Sequence, residues 1–226
     1  IIHIIRDPRA VTASNHTSTG PYPLYFLGRQ WRKLAAFAHR DRVRFPSEQI
    51  IVVQFESLIR HPDREARRIC DFLNVKFHSN ITDPTTFTDG TGNPWKQNSM
   101  HFEGKQQFNT DSIEKWKDSL SDDQVSYLEM FTYPEMLLFD YKENHHYSSW
   151  NDLVLEPPAT PVSKFANWIT PHVSLENDSL TREGAMEQWR KCLIRSEEQF
   201  TEKMARRLFL FSEIAEDIKN EIKNHD

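Results

Sequence analysis

In the run Arg6-Asp7-Pro8-Arg9-Ala10-Val11-Thr12-Ala13-Ser14 an arginine is followed eight residues later by a serine. A guanidinium presents donors in a planar fork and grips phosphate oxygens bidentately. A serine two helical turns further on adds a hydroxyl donor from a second direction. Together they suit one terminal phosphate group. On spacing alone the same two residues also suit a structural role, with Arg6 capping a neighbouring helix and Ser14 packing quietly.

The elements that would position them are legible. Ile1–Ile5 is a short continuous apolar run, the pattern of a central parallel strand covered on both faces. Asp7 stands where an N-cap is needed and Pro8 at the first helical position, so Arg6 leaves the C-terminal end of a strand, where open α/β sheets bind ligands. The helix is expected to run to about Asn15. Residues 16–28 are rich in turn formers. A second helix follows at about Gln30–Arg42, with Trp31, Leu34, Ala35 and Ala38 at helical spacing. Gln49–Gln54 reads as a second buried strand, and Pro62 opens a helix to Leu73. Strand–helix–helix–strand–helix implies a parallel α/β sheet with a long crossover. Residues 74–110 read as one irregular segment. Asp111 with Glu114, and Ser121 with Gln124, form capping boxes, the second opening a helix through Val125, Leu128 and Phe131.

The chain has 226 residues and a net charge of −5, but its charge is uneven. Residues 1–70 hold 12 Lys/Arg against 6 Asp/Glu, and the remainder 16 against 27. A local positive field around the first strand favours a small polyanion; a solvated basic helix face is the other reading. Nucleic acid is not indicated, because the aromatic residues do not interleave with the basic ones. Cys70 and Cys192 form no C-x-x-C pair, and no metal site is suggested. Three sequons, at Asn15, Asn80 and Asn177, do not establish secretion. No apolar stretch approaches the roughly 20 residues that span a bilayer.

Residues 142–180 read as a proline-containing linker, and 181–226 as an amphipathic helical tail. There Met186, Trp189, Leu193, Phe200, Met204, Leu208, Phe211, Ile214, Ile218 and Ile222 recur at steps of three, four or seven, as one helix or two. Such a tail packs on its own chain or mediates oligomerisation.

The segment from Arg6 to Ser14 resembles the 3′-phosphate-binding motif of sulfotransferases that use 3′-phosphoadenosine 5′-phosphosulfate (PAPS), in type and in spacing. Val52-Val53-Gln54-Phe55-Glu56-Ser57-Leu58 followed by His61-Pro62 resembles the family's Y-E-[DS]-L-x-x-x-P stretch. Ile69-Cys70-Asp71-Phe72-Leu73-Asn74-Val75 is similar to its helix ending in F-L-G-[VL]. Gly92–Ser99 and Ser112–Lys117 resemble the late cofactor-covering loop and the S-[IV]-x-x-W-[RK] helix of carbohydrate-type and microbial members. These features lie in family order within 1–141.

The resemblance implies a P-loop-NTPase-like parallel sheet with flanking helices over 1–141, with a C-terminal helical extension. It implies a sulfotransferase that moves a sulfuryl group from PAPS to a hydroxyl or amine acceptor, a carbohydrate or another hydroxyl compound, with no metal. Arg6 and Ser14 are the implied 3′-phosphate ligands. Phe55, standing in place of the family's Tyr, offers an aromatic face near the adenine or packs on the strand end. Ser99 and Lys105 are further cofactor-binding candidates, and His101 and Glu103 are acid–base candidates with no acceptor placed near them. The catalytic base cannot be named. The family's 5′-phosphosulfate loop has no counterpart in these residues, and an opening without Met inside a strand reads as a fragment lacking the N-terminal part of the domain. Such a fragment is expected to be inactive alone. The alternative is a non-catalytic, sulfotransferase-like interaction protein that uses its C-terminal helix. The compartment, cytoplasmic or Golgi-lumenal, stays open.

Overall fold

The computed structural model describes residues 1–16, 22–94, 108, 110–144, 177–195 and 201–225. The chain is a mostly helical α/β protein around a two-stranded parallel sheet. Strand β1 (Ile2–Ile5) is followed by helices α1 (Pro8–His16) and α2 (Leu24–Arg44). Strand β2 (Ile51–Gln54) then pairs parallel to β1, in a register running from Ile2 opposite Ile51 to Ile5 opposite Gln54. Next come α3 (Phe55–Arg60) and α4 (Pro62–Phe72), two 3-10 turns within 79–86, and the short helices α5 (Asp111–Glu114) and α6 (Trp116–Ser119). Helix α7 (Asp122–Leu137) is the central one. Helices α8 (Asn177–Arg195), α9 (Glu202–Leu208) and α10 (Ser212–His225) complete the fold.

The order strand–helix–helix–strand–helix is as the residues imply, with four differences. First, β1 is not covered on both faces: Ile2 and Ile4 are 38% and 62% exposed, whereas Ile5 is buried. β1 pairs only with β2 among the described strands, so successive side chains point to opposite faces and one face stays open. Second, α2 starts at Leu24 rather than Gln30. Gly28 reads as a turn residue but lies inside this helix, where a Cβ would stand 3.1 Å from the Phe131 Cβ; its smallness lets α2 approach α7. Third, Asp111 is the first residue of α5, with Thr110 as N-cap, so the expected Asp111/Glu114 capping box is not the start of that helix. Fourth, the tail forms three helices. Ser121 and Gln124 do form their capping box, at the start of α7.

Helix α7 is buried almost all round, the pattern of a core helix. Leu24, Tyr25, Tyr127, Met130 and Phe131 join it to α2, and Ala10, Ala13, Trp116, Leu120 and Val125 join α1, α6 and α7. The largest cluster runs from Ile5 and Trp31 through Met136, Phe139 and Tyr141 to Leu193, Leu208, Ile214 and Ile218. One core thus includes β1, α2, α7 and all three tail helices. The outer edge of β2 is capped, because Arg68 donates to the Val52 carbonyl at 3.0 Å. That blunts one strand edge.

Helix α10 is also held by a buried histidine. His39 Nε2 meets Asp217 Oδ2 at 2.7 Å, and the Arg42 guanidinium approaches His39 Nδ1 at 3.0 Å. A guanidinium has only donors, so Nδ1 is the acceptor and Nε2–H donates to Asp217. Burial lowers the imidazole pKa, Arg42 lowers it further, and the Asp217 and Glu221 carboxylates oppose them. The unfolded chain therefore takes up this proton first as pH falls. Stability is complete above the ordinary histidine pKa of about 6.5 and is lost as pH falls from there toward the lower folded value. Urea unfolding at about pH 7.5 and about pH 5.5 should show a smaller loss on acidification in His39→Gln than in the wild type. An equal loss in both would show that His39 does not carry it.

Candidate functional site at the end of β1

Arg6 is the first residue beyond the β1–β2 ladder, whose last pair is Ile5 and Gln54. Asp7 is the N-cap of α1, with its Oδ1 accepting the Arg9 amide at 2.8 Å. Pro8 has no N–H to offer. The start of α1 is thus closed by its own cap, and the available anion-binding chemistry is that of Arg6.

The Arg6 side chain is half-buried. Nη2 donates to the Ser112 carbonyl of α5 at 2.7 Å, and the guanidinium carbon lies 4.4 Å from the centre of the Phe55 ring. Nε is buried and has no hydrogen-bond partner among the described residues. Burial lowers the guanidinium pKa, and the charges of Glu56 and Asp7 oppose it. A cation with a buried, unbonded donor is incompletely satisfied, and leaving such a donor unpaired costs about 1–3 kcal/mol.

Arg9, three residues on, has the opposite fate. Its Nε and Nη2 donate to the two Asp7 carboxylate oxygens at 2.9 and 2.6 Å, and Nη1 donates to Glu129 Oε1 at 2.7 Å. The guanidinium stacks over Trp116 at 4.2 Å. Burial tends to lower its pKa, but the hydrogen bonds and charges of Asp7 and Glu129 outweigh that and hold it raised. Arg9 is committed to joining α1 to α7.

The residues singled out in the sequence divide in three. Arg6 and Phe55 come together in a cation–π contact. Ser14 is exposed on α1, about 9 Å along the helix axis from Pro8 at 1.5 Å per residue. Ser99, Lys105, His101 and Glu103 lie outside the described residues, as does the pair His145-His146. Trp116 is buried between the exposed Lys115 and Lys117. Among the described residues no three His, Cys, Asp or Glu side chains gather as a metal site. No helix there is long and apolar enough to cross a membrane.

Sequence reasoning gave no site role to Trp31, Glu56 or Tyr141. All three are buried beside the Arg6–Asp7 junction. Glu56 lies within a quoted motif and Trp31 in an apolar stripe, but neither pattern tells that they converge there.

Residues 1–79 match the model of the sulfotransferase family. The N-terminal part of the chain carries a sulfotransferase-family domain. The match includes Arg6, Ser14 and Phe55 and stops before Gly92–Ser99 and Ser112–Lys117. No curated protein matches the chain, and no solved structure does. The match over these residues suggests sulfuryl transfer and supports a transferase.

Proposed function

We propose that Arg6 and Ser14 hold the 3′-phosphate of PAPS, and that the protein belongs to an enzyme moving the sulfuryl group of this donor to a hydroxyl or amine acceptor. The observation that carries the reading is the Arg6 guanidinium: half-buried, aligned on Phe55, and holding an unbonded Nε–H at the C-terminal end of a parallel strand. A phosphate dianion supplies what that group lacks. The family match over the same residues supports the choice of nucleotide, and the parallel pairing of β1 and β2 is consistent with a P-loop-like sheet.

In this reading Arg6 and Ser14 act on the far end of the donor, not at sulfur. Sulfuryl transfer resembles phosphoryl transfer in depending on alignment and on cations set against charge at the bridging oxygen. Binding energy gained at the 3′-phosphate aligns the reacting end. The Phe55 ring holds the guanidinium plane and keeps water from one of its faces. Leu193, Leu208, Ile214 and Ile218 of the tail's apolar stripe lie within the chain's own core. That leaves an interaction role for the C-terminal helix with less support than the donor site.

Arg6→Ala should weaken binding of adenosine 3′,5′-bisphosphate by about 1.5–3 kcal/mol, the range for a hydrogen bond to a charged group. That is roughly 10- to 150-fold in affinity. Titration calorimetry measures it, and an unchanged affinity would remove Arg6 from the site.

A further inference from the structure

We propose that Tyr141 is a positioning residue for Arg6: together with Trp31 and Glu56 it clamps both ends of the Arg6–Asp7 peptide group and so sets the direction in which the Arg6 side chain leaves β1. This rests on the reading of Arg6 as a 3′-phosphate ligand.

The Arg6–Asp7 peptide is the joint of the site. The ladder ends at Ile5 opposite Gln54, and α1 begins at Pro8. Between them no strand or helix bond fixes this plane. A peptide group is flat, and its oxygen and its N–H point to opposite sides. Holding both ends fixes its rotation, and with it the torsion angles on either side. Trp31 Nε1–H donates to the Arg6 carbonyl at 2.7 Å. The Asp7 N–H donates to Glu56 Oε1 at 2.9 Å. One holding group comes from α2 and the other from α3.

Tyr141 joins the two holding groups. Its hydroxyl donates to Glu56 Oε2 at 2.7 Å, and its ring packs edge-on against Trp31, with centroids 6.4 Å apart and planes at 65°. The circuit is closed: peptide oxygen, Trp31, Tyr141, Glu56, peptide N–H. The three side chains are buried, where an unbonded indole, hydroxyl or carboxylate is costly. A phenylalanine would pack as well against Trp31, so the hydroxyl is what the clamp requires. Burial and the adjoining Glu56 charge push the tyrosine pKa far up, which keeps this hydroxyl a donor. Glu56 has a second effect, since its charge also supports the Arg6 cation.

The test compares adenosine 3′,5′-bisphosphate with adenosine 5′-phosphate, which lacks the group that Arg6 reads. Tyr141→Phe and Trp31→Phe should each weaken the bisphosphate by about 3- to 10-fold and leave the 5′-phosphate unchanged. Arg6→Ala should sharply reduce the difference between the two nucleotides, leaving what Ser14 contributes. Equal weakening of both nucleotides in Tyr141→Phe, or a lower melting temperature with both affinities unchanged, makes Tyr141 merely structural and overturns the proposal. If Tyr141→Phe does not fold, Trp31→Phe carries the same comparison from the other end of the peptide. Amide exchange adds a readout that needs no nucleotide: the Asp7 amide should exchange about tenfold faster in Tyr141→Phe relative to that of Ile5, and an unchanged ratio overturns the clamp. A wild-type protein that binds the two nucleotides alike, with Arg6→Ala without effect, overturns the phosphate reading itself.

Discussion

Arg190→Ala is expected to cost about 3–5 kcal/mol of folding stability, the range for breaking a buried ion pair by removing one partner. The side chain is 1% exposed. Nη1 donates to Glu135 Oε1 at 2.6 Å, Nε to Glu187 Oε2 at 2.7 Å, and Nη2 to the Phe131 carbonyl at 3.0 Å. Glu135 and the Phe131 carbonyl belong to α7, close to Pro134 within that helix. Burial tends to lower the guanidinium pKa, but Glu135 and Glu187 outweigh it and hold it raised. Truncation leaves Glu135 facing a cavity with Arg32 as a more distant cation, at 3.8 Å. The physical content lies in the coupling. Arg190→Ala/Glu135→Ala should be more stable than the sum of the single losses predicts, because the double variant strands one charge fewer. Urea unfolding of the four proteins measures this. A single-variant loss below about 1 kcal/mol would mean that α8 is not docked through this guanidinium.

Arg9→Ala is expected to cost a similar amount, about 3–5 kcal/mol, by a different route. It takes the guanidinium away from two carboxylates, Asp7 and Glu129, and removes a stacking partner from Trp116. Glu129 would keep the Asn144 amide on Oε1, at 2.8 Å. Asp7 would still cap α1. Arg9→Lys separates charge from geometry. A single ammonium cannot reproduce two parallel bonds to Asp7 and a third to Glu129, so Lys should recover less than half of the loss. Denaturant midpoints at neutral pH check this. Full recovery by Lys would show that charge alone, not the fork, joins α1 to α7.

These two residues show how far the sequence carries. Local signals hold at several places where the partner is a few residues away, though the Asp111/Glu114 box does not open α5. Asp7 and Pro8 start α1, Ser121 and Gln124 start α7, and the apolar runs mark β1 and β2, because each depends on backbone geometry within one turn. Signals that depend on a distant neighbour are misread. In the tail Met186 and Trp189 fit an apolar stripe, yet they are 55% and 41% exposed. The buried side of α8 holds Glu187, Gln188, Arg190 and Lys191 beside Leu193 and Ile194. Lys191 is satisfied by Glu143 at 2.5 Å and by the Tyr133 ring at 4.4 Å. Hydropathy assigns such residues to solvent, because it cannot register that α7 and the residues after it supply the opposite charges.

The proposed donor site divides in the same way. Type and spacing make Arg6 and Ser14 suit phosphate chemistry at a strand end, and the family resemblance adds Phe55 as an aromatic face. Types alone cannot separate Arg6 from Arg9. The two side chains are chemically identical and three residues apart, and both leave the same turn. Tertiary structure sets them apart by bringing Glu129, 120 residues away along the chain, to within 2.7 Å of Arg9. Arg6 meets only a carbonyl and a ring, and keeps a buried donor without a partner among the described residues. Charge pairing in a poorly solvated interior depends on distance through space, and separation along the chain does not report that distance.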